Sequence, residues 1–462
     1  MTLKEWFDRQ DLPAGDASLC SGAFVSVKKG GARSLKAGGQ WIYDNELEEV
    51  QGDAAPGSLL KVFDFDGYPL GIGFINPASR IRIRMLTRLQ TNEFTPSDLY
   101  NRVRRAWDYR KAVTDPDSET SDSCRVIFGE ADFLPGITVD KFNDVLVVES
   151  LALGTDRLKL LILRELVRVM EEDGIIVRGI YERSDAKVRT LEGMERVKGF
   201  IGPEFNTKVQ IVENGIRYIV DVKEGQKTGF FLDQKFNRAA VAGIVNRLSK
   251  MHASWNPGSS ETGGSGAGAG EPEENGKAGV KRPDGIRVLD CFTHTGAFGL
   301  NAAAAGAASV LSVDASELAI EQARENARLN GLDTAVSYMA ADVFELLPSL
   351  EKQRELFDVV ILDPPAFTKS REATKGAVKG YREINLRGLK LVRNGGFFAT
   401  CSCSHFMDEE LFRKTVREAA HGAHRRLRQV EFRTQAPDHP ILWGDNESYY
   451  LKFLIFQVVD EQ

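Results

Sequence analysis

A chain of 462 residues is too long for one hydrophobic core, because such cores stop growing at roughly 250 to 300 residues, so two or three domains are expected. With 42% hydrophobic and 27% charged residues, and no uncharged apolar run near the roughly 20 residues that span a bilayer, the composition is that of a soluble globular protein and argues against a membrane span. A net charge of -6 excludes a chain that is basic throughout, as blanket nucleic-acid binders are, while leaving room for a local basic face.

The first ten residues carry Lys4, Glu5, Asp8 and Arg9 among apolar ones and lack the basic start and apolar core of a secretory signal. Five cysteines form neither a disulfide framework nor a paired zinc pattern, so free thiols, a reducing cytoplasmic compartment and no metal are expected. Val25, Val27, Leu59, Leu60, Val62, Phe63 and Phe65 sit in short pieces broken by Gly30-Gly31, Gly38-Gly39 and Pro56-Gly57, which predicts a small β-rich domain over 22–90. An α+β middle domain over 91–207 follows, with helices at 96–112 and 157–172 and strands at 137–150 and 175–182. Between Arg80 and Lys111 basic residues outnumber acidic ones, and Arg102, Arg104 and Arg105 are the candidates for gripping nucleic-acid phosphates.

A hairpin is predicted where Val209 and Ile211 precede Asn214-Gly215 and Ile216, Tyr218 and Val220 follow, since Asn-Gly accepts the positive φ angles of a tight turn. The catalytic domain is read from there, over 208–462, interrupted at 254–284 by a Gly-, Ser-, Pro- and Glu-rich insertion too poor in apolar side chains to order itself. From Arg287 onward short apolar strands at 287–290, 310–314, 336–339 and 359–363 alternate with helical segments at 296–305 and 317–330, the pattern of an α/β, doubly wound parallel sheet.

Ligands of such sheets sit beyond the carboxyl ends of the strands, so the residues there matter most. Asp290 and Gly296 flank the first loop, whose Thr293, His294 and Thr295 do not supply the G-x-G-x-x-G pattern that a pyrophosphate needs. A cationic, phosphate-free ligand such as S-adenosylmethionine fits that loop better than a dinucleotide. Asp314 ends the second strand, where a carboxylate can hold both ribose hydroxyls, and Asp342 after the third can take the adenine amino group. Each acid alone would more often be a cap or loop residue; their recurrence at successive strand ends favours a site. Asp363-Pro364-Pro365-Ala366-Phe367 ends the fourth strand, and its two prolines stiffen a loop that can hold a carboxylate against a planar base. The fifth strand ends with Cys401-Ser402-Cys403, and thiolate attack at carbon 6 of a pyrimidine is what makes carbon 5 nucleophilic enough to accept a methyl group. Cys403 is the favoured nucleophile and Cys401 the reserve, while Cys20, Cys124 and Cys291 read as packing residues.

Together with Gln226 to Gln234 (QKTGFFLDQ), Asp438-His439-Pro440, Tyr450-Leu451-Lys452, and Arg33-Ser34-Leu35 with Trp41-Ile42-Tyr43, these motifs resemble the bacterial large-subunit ribosomal RNA 5-methylcytosine methyltransferases over nearly the whole chain. The resemblance implies a Rossmann-like class I methyltransferase domain preceded by a PUA-like domain and a middle domain. It further implies Cys403 as nucleophile, Asp363 beside the target base, and Phe231, Phe292, Thr295 and Pro364 joining the acids around S-adenosylmethionine. Pro365 and Phe367 would then face the substrate. Large-subunit ribosomal RNA is the implied partner, with a homodimer left open. Cys401 and His405 depart from the family pattern, which more usually has an apolar residue and a glycine there. Two other readings stand beside this one: N-methylation of guanine or adenine in RNA, which needs no thiol, and a non-catalytic RNA-binding assembly factor.

Overall fold

The short apolar strands at the front of the chain bury one face by pairing with one another. The computed structural model describes residues 1–91, 93–116, 118–255, 285–368 and 372–460, in two compact units: 1–235 with 435–449, and 236–434 with 450–462. The insertion expected at 254–284 falls, from residue 256 on, outside the described residues. Among the described residues no helix is long and apolar enough to cross a membrane.

In the first unit, α1 (Leu3–Phe7) precedes β1 (Cys20–Ser26), α2 (Arg33–Lys36), β2 (Trp41–Tyr43), β3 (Leu59–Phe63), β4 (Pro69–Ile75) and β5 (Ile81–Thr87), and the strands form one sheet in the order β1-β3-β4-β5-β2. Val25, Val27, Ile42, Leu60, Val62 and Ile83 fill its core. A second sheet holds β6 (Ser123–Phe128), β7 (Ile137–Phe142), β8 (Val145–Ser150), β9 (Gly179–Ser184) and β10 (Val197–Ile201), in the order β10-β9-β8-β7-β6. It is packed by α3 (Pro96–Val113) and by α4 (Leu153–Glu172), the crossover that makes β8 and β9 parallel. Thr95 and Asp98 close a capping box at the start of α3, with Pro96 at its first position.

The strand expected from residue 175 starts at Gly179. Helix α4 ends in a Schellman turn: Gly174 has φ +81, and the amides of Gly174 and Ile175 donate back to the carbonyls of Glu171 and Met170 at 3.0 and 2.9 Å. That turn consumes the residues that β-propensity alone would add to the strand.

The hairpin forms as predicted, β11 (Lys208–Glu213) against β12 (Ile216–Asp221), with Asn214 and Gly215 at φ +53 and +76. It packs with the first unit, however, because the Asp122 carboxylate accepts the Val212 amide at 3.0 Å and Asn143 donates to the Gln210 carbonyl at 3.2 Å. The boundary between compact units therefore lies at 235, rather than at the 208 expected for the catalytic domain. Segment 435–449 also belongs to the first unit, where His439 is buried with Nδ1 2.9 Å from Asp438.

The second unit opens with α5 (Lys235–Trp255) and continues with β13 (Arg287–Cys291), α6 (Ala297–Ala304), β14 (Ser309–Asp314), α7 (Glu317–Leu329), β15 (Val336–Ala340), α8 (Val343–Lys352), β16 (Phe357–Leu362), α9 (Thr374–Lys390), β17 (Val392–Ser402), α10 (Glu409–Gly422), β18 (Arg426–Arg433) and β19 (Lys452–Val459). The strand order is β15-β14-β13-β16-β17-β19-β18. The strands β13 to β17 are parallel, and β19 runs antiparallel to both β17 and β18. The order reverses between β13 and β16, which opens a crevice at their carboxyl ends. Ser316 caps α7 by accepting the Ala319 amide at 3.2 Å, as its position before Glu317 predicts.

Candidate active site

Strand register sets the acids and thiols along one edge of the second unit's sheet. Cys291 pairs with both Val313 and Leu362, Leu362 pairs with Thr400, and so Asp290, Asp314, Asp363 and Cys401 occupy neighbouring strand ends. Asp342 stands apart as an exposed residue whose carboxylate caps α8 by accepting the Phe344 amide at 2.8 Å.

The loop after β13 is unusually bent. Phe292, His294 and Gly296 all have positive φ, at +64, +50 and +87, a conformation that L side chains adopt only where the surroundings enforce it. The enforcing contacts are visible: the Thr293 amide donates to the Val313 carbonyl at 2.9 Å, and the His294 amide to Asp314 at 2.9 Å. A Cβ at Gly296 would come within 3.0 Å of the Tyr338 hydroxyl and 3.1 Å of Ala323. Burial pushes the His294 imidazole down to about 4, so it is neutral near pH 7 and adds no positive charge to a site for a cation.

Asp290 is fully buried. Its Oδ2 accepts from the Thr293 hydroxyl at 2.5 Å, the Gly299 amide at 2.8 Å and the Ser312 hydroxyl at 3.3 Å. Its Oδ1 has no hydrogen-bond partner among the described residues, and the same holds for the buried hydroxyls of Thr295, Tyr338 and Thr400. Burial first, and then the nearby Asp363 carboxylate, push the Asp290 carboxyl up to about 7. A buried acceptor left unmatched on the rim of a strained loop fits a cationic ligand bearing hydrogen-bond donors. Asp314 gives one oxygen to the His294 amide and the other to the Ser316 amide, each at 2.9 Å, and a carboxylate so held still has lone pairs for further donors. Asp290, Phe292, Thr295, Gly296, Asp314, Asp363 and Pro364 thus share one edge, whereas Phe231 belongs to the first unit.

At the other end of the edge the two thiols differ. Cys401 is fully buried and its Sγ donates to Asp363 at 2.8 Å. Cys403, two residues further on, is half-buried. The reserve candidate is thus also a partner of Asp363. Cys20, Cys124 and Cys291 are all pushed up by burial, Cys124 to about 12, in keeping with packing roles.

The Asp363 loop is braced from behind. Pro364 is buried, Pro365 is exposed, and the half-buried Phe367 ring packs on Tyr381 and Phe344 at centroid distances of 4.6 and 5.8 Å. Phe367, expected on the substrate, thus also packs behind the loop. Nothing in the local sequence marks Tyr338 or Tyr381.

The basic stretch fares differently. Arg102 donates to the Leu86 and Phe133 carbonyls, and burial brings it down to about 10. Arg104 bridges Glu172 and Asp173, each at 2.8 Å. Arg105 is exposed, which leaves it as the member of the expected trio that faces solvent. Among the described residues no group of three or more His, Cys, Asp or Glu side chains is set to hold a metal ion.

Comparison with known proteins agrees with this geometry. Residues 25–88 match a PUA-like domain family and residues 276–453 a family of S-adenosylmethionine-dependent methyltransferases. Proteins named ribosomal RNA large subunit methyltransferase I from Shewanella denitrificans and Alteromonas mediterranea are 37% and 34% identical, over 94% and 93% of this chain and 99% and 97% of theirs. A solved chain described as a SAM-dependent methyltransferase from Streptococcus mutans shares the fold at a TM-score of 0.69 and 19% identity, with 94% of this chain and 99% of that one aligned. The chain belongs to the ribosomal RNA large subunit methyltransferase I family: it is an S-adenosylmethionine-dependent methyltransferase with a PUA-like domain near its N-terminus.

Proposed function

We propose that this enzyme methylates carbon 5 of a cytosine in large-subunit ribosomal RNA through a covalent bond from Cys403. The observation that supports the reading is a half-buried thiol, Cys403, two residues beyond Cys401, whose Sγ donates to Asp363 on the adjoining strand end. S-adenosylmethionine supplies an electrophilic methyl group when bound. Asp290 and Asp314 hold the ligand's polar groups, and the Phe292–Gly296 loop gives it close approach to the backbone. The Cys403 sulfur bonds to carbon 6, the ring electrons shift to carbon 5, and carbon 5 takes the methyl group. Loss of the carbon 5 proton to a base then expels the sulfur and restores the ring. Asp363, held by Cys401 and stiffened by Pro364 and Pro365, stabilises the cytosine through its N3 or amino edge. The relatives' names support large-subunit ribosomal RNA as substrate. In this reading the front β domain and the exposed Arg105 contact RNA phosphates.

Nucleoside analysis of RNA methylated by the enzyme is expected to return 5-methylcytidine; N-methylated guanosine or adenosine would overturn the reading. Substituting Asp314→Asn is expected to weaken S-adenosylmethionine binding by about 10- to 100-fold, the loss of charge-assisted hydrogen bonds of roughly 1.5–3 kcal/mol. Calorimetry with the ligand alone checks this, and an unchanged affinity would remove Asp314 from the site.

A further inference from the structure

The sheet of the second unit ends in an edge strand, β18, that carries Arg426, Arg428 and Arg433, and the helix beside it, α10, carries Arg413, Lys414 and Arg417. Between Leu411 and Arg428 the chain sets six Lys or Arg residues against the single acid Glu418, within a protein of net charge -6. The two elements bound a groove of about 1270 Å³, with an apolar floor from Val416, Ala420, Leu427, Leu454 and Phe456 and a basic rim. That exceeds the roughly 300–1,000 Å³ of small-molecule pockets, so the groove is sized for a chain rather than a metabolite.

The rim charges form a row. Lys414, Arg417 and His421 follow one another at three- and four-residue steps, which stacks side chains on one helix face about 5–6 Å apart. All three are exposed, and His424 continues the row past the helix end. Lys414 and Arg417 have no ion-pair partner among the described residues. Arg413, by contrast, is paired with Glu409 at 3.3 Å, and Arg425 with Asp460. Glu410 is the acid among the groove's lining residues. A row of positive charge on a protein of negative net charge suits a polyanion better than a point anion. A second copy of the chain fits poorly, because a two-fold contact sets the same patch against itself and Lys414 and Arg417 would face like charges. Charged side chains on an edge strand also discourage strand addition.

We propose that the groove between α10 and β18 carries the phosphate backbone of the substrate RNA away from the active-site edge. Strand direction supports this: β19 is antiparallel to both β17 and β18, so β18 runs with β17 and finishes, at Arg433, on the edge where β17 ends. Helix α10 starts from that same edge, at Glu409, and runs along the groove toward His421. An RNA strand whose target base sits at the carboxyl ends of β16 and β17 thus meets a row of cations leading from it. This role rests on RNA being the substrate, and is independent of which base takes the methyl group and of the task of Cys403.

The test is the binding of a short fluorescein-labelled single-stranded RNA to the full-length enzyme, followed by anisotropy across a salt series. The double variant Lys414→Gln with Arg417→Gln is expected to weaken binding about 10-fold and to reduce the slope of log affinity against log salt by about 1.4, two phosphate contacts at roughly 0.7 each. Its KM for ribosomal RNA should rise by a similar factor, with kcat unchanged. Affinity for S-adenosylmethionine by calorimetry should also stay as it is, which reports an intact fold. Arg328→Gln with Lys352→Gln, exposed on α7 and α8, is expected to leave the salt slope where it was. An unmoved slope in the groove variant overturns the proposal, as does an equal loss in the Arg328 and Lys352 variant. A native slope near zero overturns it whether or not any variant folds. A shift in sedimentation with RNA affinity unchanged would assign the groove to a second copy instead, and overturn it too. Failure to methylate ribosomal RNA, by an enzyme that still binds the oligonucleotide through Lys414 and Arg417, would overturn the proposed substrate and leave the groove as an RNA site.

Discussion

Replacing Cys403 by serine is expected to lower methyl transfer by at least about a thousandfold, since removing the nucleophile of a covalent enzyme costs more than that in measured cases. A serine hydroxyl ionises far too weakly near pH 7 to attack carbon 6, and the rest of the edge stays intact. Affinity for S-adenosylmethionine should therefore be unchanged, because Asp290 and Asp314 lie on other strands. Incorporation of labelled methyl into ribosomal RNA measures the first quantity and calorimetry the second. Cys401→Ser is expected to behave differently: a hydroxyl can still donate to Asp363, as the thiol does at 2.8 Å, so activity should fall only modestly. Equal losses in the two variants would mean that the two thiols share a task, and equal activities would remove the covalent route.

The largest expected loss of stability lies far from the chemistry, at Asp132. Arg110 is fully buried in the first unit, and its five N–H donors are all matched. Two go to the Asp132 carboxylate at 2.5 and 2.7 Å, and the others to the carbonyls of Arg125, Ala106 and Asp438 at 2.8, 3.2 and 3.0 Å. Asp132→Ala leaves that guanidinium buried without its two-point carboxylate partner, which is expected to cost about 3–5 kcal/mol. Urea denaturation monitored in the first unit reads the change. The double variant Arg110→Met with Asp132→Leu should be milder, because it removes the charge along with its partner. A cost near zero for Asp132→Ala would show that water reaches the arginine.

Much of the catalytic sheet was legible before the structure, for a local reason. A buried parallel strand is a short apolar run, and the acid or glycine that ends it is adjacent in sequence, so Asp290, Asp314 and Asp363 could be assigned to strand ends from spacing alone. The hairpin at Asn214-Gly215 was equally local, since the turn demands positive φ that this dipeptide tolerates. The strand expected at 175 was misjudged because a helix-ending turn formed by Gly174 and Ile175 overrode β-propensity.

The charged residues were a different matter. Arg104 reads as a free cation beside Arg102 and Arg105, yet its partners Glu172 and Asp173 come from another helix some seventy residues on. The two thiols of Cys401-Ser402-Cys403 are nearly equivalent as letters. One became a donor to Asp363 and the other a half-buried thiol because β17 lies in register beside β16.

By itself, then, the amino-acid order determined the alternation of strands and helices, the edge on which ligands gather, and the chemical types found there, since each depends on neighbours a few residues apart. The tertiary structure decided which arginines are neutralised and which cysteine donates to Asp363. The reason is physical: ionisation and reactivity depend on burial and on charges within a few ångströms, and those neighbours come from distant parts of the chain.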